Sequence, residues 1–298
     1  MKYDLIIMGH ISKDIIVDHL GNEQRLIGGA LLYSALTAAR AGARVLAITK
    51  AATGDIPALE HLRQQPGIEL VVHESPASTS ILNVFKTSDH ERRETSLRSR
   101  ALPFSASDIP ADAEAPIIDL AGLFVGELPD GLIPQLAAKA RIAVDAQGLL
   151  RTAMPDGTML FRDWEHKREY MPHVSYFKAD AAEAEILTGL SDREQAARII
   201  ASWGKAPEVM ITHNTEVIVL ADGNIWRAPF TPANLSGRTG RGDTTFSAYL
   251  AWRKAHGPEE SVRFAAALCS IKMESPGPFS GTLEDVFRRM ERDARRQS

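Results

Sequence analysis

The chain has 298 residues, 44% hydrophobic and 24% charged, enough to bury a full core in one large α/β domain or two smaller ones. A formal net charge of -4 supplies no basic field of the kind that sequence-independent nucleic-acid binding needs, so nucleic acid is not an expected partner. The single cysteine, Cys269 in "FAAALCSI", excludes an internal disulfide and reads as a small buried hydrophobe. No apolar run approaches a membrane span, and "MKYDLIIMGH" is too quickly interrupted for a signal peptide, so a cytoplasmic location is expected.

In chain order, "YDLIIMG" is a short apolar run closed by Gly9, which fits a strand covered on both faces. "KDIIVDHLGNEQRLIG" alternates around a polar turn and predicts a hairpin. "GGALLYSALTAARAGA" has apolar residues at helical spacing, with glycines before it and Gly42 after it, and "RVLAITKA" is a second buried strand. "STSILNVFKTSDHERRETSLRS" predicts another hairpin, with Leu82 and Phe85 as candidates for its inner face. Strand and helix patterns then alternate through "APIIDLAGLFVG", "IPQLAAKA", "RIAVDAQG", "SYFKAD", "AAEAEILTG", "QAARIIASWG" and "EVMITH". Such alternation argues for a mostly parallel central sheet with helices on both faces, and ligands then gather at the carboxyl ends of the strands. With no repeat and no low-complexity linker, one α/β domain over 1–298 is expected. The two hairpins, about 11–27 and 78–99, would form a small β-sheet lid over the ligand end.

"SGRTGRGDTTFSAYL", residues 236–250, places a glycine-rich turn ahead of a helix and delivers one acid, Asp243, to its start. Gly240 and Gly242 permit unusual backbone angles, and the amides of a helix start lack intrahelical partners, so the turn can receive an anion such as a phosphate. An aspartate beside that pocket opposes an anion by charge but makes sense as a base that takes the proton of an attacking hydroxyl. The competing reading is that Asp243 merely caps the helix.

Three stretches in order, "GGALLYSALTAARAGA", "KADAAEAEILTG" and "TGRGDTTFSAYLA", resemble the ribokinase-like (PfkB) carbohydrate kinases over essentially the whole chain. The family fold is the one inferred above. The resemblance implies an ATP-dependent phosphotransferase acting with magnesium, with Asp243 as general base and Gly240, Arg241 and Gly242 as anion hole. It also implies acceptor contacts at Asp14, Gly28 and Gly29. Asp180 and Glu183 fall on the family's asparagine-x-x-glutamate motif near magnesium and the phosphates, with Glu183 the better metal ligand; read by pattern alone, Glu183 could equally sit on a solvated helix face. Thr212 ends the strand near the nucleotide.

Several positions depart from the family pattern. Gly237 stands where the family places an aspartate near the phosphate and monovalent-ion region, and Arg241 replaces a small residue. Tyr33 and Ser34 follow the double glycine where an asparagine is usual, and "THNTEV" lacks the expected glycines. Nucleotide binding is therefore less well supported than acceptor binding. "VDAQGLLR" beside the other stretches is similar to the myo-inositol kinase branch, which implies acceptor contacts at Gln147 and Arg151. A cyclic polyol could be matched by Asp14, Gln147 and Arg151, whereas a nucleoside would want an apolar slot for its base.

Two alternatives remain open: a nucleoside or other sugar kinase of the same family, and a non-catalytic polyol-binding protein on a kinase scaffold. The histidines show no paired metal-ligand spacing; His10 alone ends a strand near Asp14, where it either touches substrate or packs. The run "HERRETSLRSR" reads as a solvated hairpin face that could help sense an anionic acceptor. Exposed lid edges suggest a homodimer formed through the lid.

Overall fold

The computed structural model describes residues 1–87 and 93–297. The turn expected within "SDHER", 88–92, lies outside the described residues. Among the described residues fifteen strands run, in chain order, as β1 (Leu5–Met8), β2 (Ser12–Val17), β3 (Glu23–Gly28), β4 (Val45–Ala51), β5 (Ile68–Glu74), β6 (Thr79–Phe85), β7 (Arg93–Ser99), β8 (Ile117–Leu120), β9 (Arg141–Asp145), β10 (Arg151–Ala153), β11 (Met159–Phe161), β12 (Val174–Asp180), β13 (Glu208–Thr212), β14 (Glu216–Ala221) and β15 (Asn224–Pro229).

Nine of them form one sheet in the order β15-β14-β13-β12-β9-β8-β1-β4-β5. Pairing is parallel from β5 to β13, and β14 and β15 add an antiparallel edge. β1 and β4 are buried at every position, which explains why they read as continuous apolar runs. Their residues nevertheless divide by the period of two. Leu5, Ile7, Val45 and Ala47 enter one core, packed with the helices Ala30–Arg40, Arg241–Arg253 and Pro258–Lys272. Ile6, Met8, Leu46 and Ile48 enter a second core on the opposite face, packed with Leu132–Ala137, Ala181–Thr188 and Arg193–Ser202. Helices thus cover both faces, as the alternating pattern implied.

The two expected hairpins are β2–β3 and β6–β7, and a parallel β2–β6 pairing joins them into one four-stranded sheet. Ser12, Asp14 and Ile16 of β2 and Ile81, Asn83 and Phe85 of β6 share its inner face. Leu82 and Phe85 are three residues apart, so strand alternation sends them to opposite faces. The expectation that both belong to the inner face is corrected accordingly.

Chain order places β4 and β5 on one side of β1 and β8, β9, β12 and β13 on the other. The β1/β8 boundary is the point where strand order reverses, and the crevice beyond its carboxyl ends is where such sheets hold ligands. Among the described residues no helix is long and apolar enough to cross a membrane.

Candidate active site

A cavity of about 760 Å³ opens at those carboxyl ends, between the small sheet and the start of the Arg241–Arg253 helix. Of the residues singled out from sequence, Asp14, Gly29, Gln147, Arg151, Asp180, Glu183, Thr212, Gly240, Arg241, Gly242 and Asp243 line it. Gly28 lies just behind the lining. A Cβ there would fall 2.4 Å from Asp14 Oδ2, so the position is spoken for by that carboxylate. Ser12 Oγ donates to the other Asp14 oxygen at 2.7 Å.

Strand alternation builds the floor of the cavity. In β8, β9, β12 and β13, residues Ile117, Ala143, Tyr176 and Met210 face the core that holds the Arg241–Arg253 helix. Two residues further along each strand come Asp119, Asp145, Lys178 and Thr212, on the same face. Lys178 Nζ lies 3.0 Å from both oxygens of Asp145 and 3.6 Å from Glu183 Oε2. Burial alone would lower the lysine's pKa, but Asp145 and Glu183 hold it above its ordinary value. The sequence pattern assigns no role to Lys178 or Asp145, and the available signal is a lysine that follows the apolar pair Tyr176-Phe177 in a buried strand, two residues before Asp180.

The helix begins after Gly240, whose φ of 77° is left-handed and whose missing Cβ would stand 2.2 Å from a ring carbon of Tyr33. Asp243 is in the first turn but is not the cap residue, so the capping alternative does not describe it. Its carboxyl is pushed up to about 6, chiefly by burial and then by Asp145, with Lys178 opposing. Gly242 lets Lys178 approach, since a Cβ there would come 2.8 Å from Nζ. The Arg241 amide reaches back to the Arg238 carbonyl at 3.3 Å, so it is engaged inside the turn rather than turned to the cavity. Tyr33, which stands in place of the usual asparagine, lines the cavity, and burial raises its phenol to about 12.

Asp180 and Glu183 form a capping box at the start of the Ala181–Thr188 helix. Asp180 Oδ1 accepts from the Glu183 amide at 2.8 Å, and Glu183 Oε2 accepts from the Asp180 amide at 2.7 Å. Glu183 is 3% exposed, which removes the solvated-face reading, and burial pushes its carboxyl up while Lys178 opposes. Asp119 is 1% exposed, its Oδ1 has no hydrogen-bond partner among the described residues, and burial, then Asp145 and Asp243, push its carboxyl well above the usual carboxylate range. Thr212 is equally buried and its hydroxyl has no partner among the described residues.

His10 is fully buried and does not line the cavity. Nδ1 meets Thr79 Oγ1 at 2.8 Å and Nε2 meets the Leu102 carbonyl at 3.1 Å, so its role is packing. Cys269 is buried, and burial raises its thiol to about 11, as expected of an inert small hydrophobe. Among the described residues no group of three His, Cys, Asp or Glu side chains could hold a metal by itself.

Residues 1–285 match the model of the pfkB family carbohydrate kinases. A sulfate complex of a pyrophosphate-dependent kinase in the ribokinase family is 38% identical, with a TM-score of 0.86 over 95% of this chain and 99% of that one. A pyrophosphate-dependent kinase of the ribokinase family, complexed with a pyrophosphate analog and myo-inositol, is 37% identical, with a TM-score of 0.85 over 95% and 99%. The cytidine kinase of Thermococcus kodakarensis is 26% identical over 293 residues, 94% of this chain and 99% of its own length. A buried aspartate in the first turn of a helix, lining a cavity beyond the carboxyl ends of this sheet, accompanies relatives that are kinases, and the chain belongs to the pfkB family of carbohydrate kinases.

Proposed function

We propose that the enzyme transfers a phosphoryl group from pyrophosphate to a hydroxyl of myo-inositol or a closely related cyclic polyol. The acceptor lies under the small sheet, which serves as a lid that excludes water. Asp14, Gln147 and Arg151 offer it a carboxylate, an amide and a guanidinium, the donors and acceptors that a ring of hydroxyls can match. Asp243 takes the proton of the attacking hydroxyl as its oxygen bonds to phosphorus. The bond from phosphorus to the bridging oxygen breaks, and inorganic phosphate leaves. First-turn amides that follow Arg241, with the positive dipole end of the Arg241–Arg253 helix, stabilise charge on the transferring group.

One observation carries the choice of donor. Segment 235–243 brings Arg238 and Arg241 to the cavity that Lys178 and Thr212 also line, the Thr212 hydroxyl having no partner among the described residues, while Leu235 is the one large apolar side chain the segment contributes there. Cations and a buried hydroxyl suit phosphates, and little there suits a nucleobase. The pyrophosphate-dependent relatives support the same choice over ATP. Magnesium fits as an ion carried mainly by the donor's phosphates, with Glu183 and Asp180 as its protein contacts, because each carboxylate has one oxygen outside the capping box. When bound, it would neutralise charge on the donor.

Initial rates with pyrophosphate or ATP, across myo-inositol, ribose and cytidine, test this reading. Acceptor-dependent phosphate release from pyrophosphate with myo-inositol is the expected result. Turnover with ATP alone would restore the nucleotide donor, and a preference for cytidine would favour the nucleoside reading suggested by the archaeal relative. Pairing of two copies through β3, whose residues 23–26 are exposed along the sheet edge, is a further proposal that sedimentation velocity tests.

A further inference from the structure

Lys272 ends the helix Pro258–Lys272 and is 1% exposed. Its Nζ donates to the Gly237 carbonyl at 2.6 Å and to the Thr239 carbonyl, and it lies 5.2 Å from the centre of the Tyr33 ring. Its direct contacts are carbonyl dipoles and a ring face, with the Asp243 carboxylate acting on it by charge rather than by a hydrogen bond, an unusual setting for a buried ammonium, which normally takes an ionic partner in contact. Burial lowers its pKa to about 8, which still leaves most of the side chain charged at neutral pH.

The surrounding chain is clamped around this contact. The Gly237 amide donates to the Met273 carbonyl at 2.8 Å, and Ser236 Oγ donates to the Glu274 carbonyl at 2.8 Å. A Cβ on Gly237 would fall 1.8 Å from the Ser275 carbonyl oxygen, so the aspartate usual at this position has no room. The monovalent-ion region implied by the family resemblance therefore does not fit this chain. Its acid is absent, and carbonyls that could bind an ion are already bonded to an ammonium.

Peptide planarity gives this contact a consequence at the active site. In a trans peptide the C=O and the following N–H point in opposite directions, so pinning the Thr239 carbonyl toward Lys272 fixes the Gly240 amide on the other side of that plane. Gly240 lines the cavity, as do Arg238 and Arg241 beside it.

We propose that Lys272 is a positioning residue that serves as a built-in monovalent cation, gathering the Gly237 and Thr239 carbonyls so that the amides of the turn are aimed at the transferring phosphate without any added ion. The proposal rests on the 240–243 turn being the anion site. The two readings fail differently: an inactive wild-type enzyme would sink the functional reading, whereas an active one that needs potassium would sink this one.

The test measures kcat in tetramethylammonium buffer, with and without potassium, sodium or ammonium, for the wild-type enzyme, Lys272→Met and Lys272→Ala. Wild-type kcat is expected to change less than about twofold on adding any ion. Losing the pinned amides is expected to lower kcat of Lys272→Met by about 100-fold, the effect of removing one preorganised oxyanion donor, with the polyol KM nearly unchanged. Potassium, ammonium or methylammonium should restore part of the activity of Lys272→Ala. Wild-type stimulation of several-fold by potassium would overturn the proposal, as would undiminished kcat in Lys272→Met without added ions. Should neither variant fold, the ion response of the wild-type enzyme still decides, because it requires no substitution.

Discussion

As the proposed base, Asp243 meets two opposing demands, since it must be ionised to accept a proton yet burial disfavours its charge. Burial and Asp145 raise its pKa to about 6 while Lys178 pulls it down, so it stays ionised near neutrality and holds a proton better than an ordinary carboxylate. Because the raised pKa is that of the required base, activity should fall about tenfold per pH unit below about 6 and level off above it. Asp243→Asn should lose roughly 10²–10⁴-fold in kcat, with polyol affinity by calorimetry within a few-fold of wild type. Lys178→Met removes the charge that compensates two buried carboxylates. It should destabilise the protein by roughly 3–5 kcal/mol in urea unfolding and move the acid limb of the pH profile upward.

At the scale of elements, the site is assembled by strand alternation and one helix start. Gly240 combines a φ of 77° with a Cβ direction blocked by Tyr33. Gly240→Ala should therefore cost at least about 1–2 kcal/mol in unfolding free energy, from the left-handed backbone alone, and lower kcat as well. Much of this level was legible in the sequence. "YDLIIMG" and "SYFKAD" read as strands, "GGALLYSALTAAR" as a helix, and the glycine-rich turn before Asp243 as a helix start, because each signal is local. The β14–β15 hairpin, absent from the expectations above, rests on an equally local signal: its Asp222-Gly223 turn, with φ of 52° and 78°, is a standard two-residue hairpin turn. What local pattern does not encode is which distant residues meet. Lys178 and Asp145 are 33 positions apart, and Lys272 and Thr239 are also 33 apart. Only the sheet order and the packing of the last helices bring these pairs together. Leu82 illustrates the reverse case: its strand is evident from the local pattern, but an odd spacing from Phe85 puts it on the opposite face.

Across the whole molecule, the nine-stranded sheet supplies a rigid floor and the four-stranded sheet a cover that meets it at the cavity through β2 and β6. Polyol and a non-hydrolysable pyrophosphate analog together should slow hydrogen exchange in β2, β3 and β6 several-fold. Exchange in β1, β8 and β9, already buried beneath both helical layers, should not change. Donor identity is the least legible property in the sequence, because the family resemblance implies ATP while the departures from the family pattern are spread over Gly237, Arg241 and residues 212–217. The most direct measurement is phosphorus NMR of the enzyme with magnesium, pyrophosphate and myo-inositol. A single new phosphomonoester resonance growing in step with inorganic phosphate, and absent with Asp243→Asn, is the expected result. Phosphate release without a monoester, or a monoester formed only when ATP replaces pyrophosphate, would contradict it.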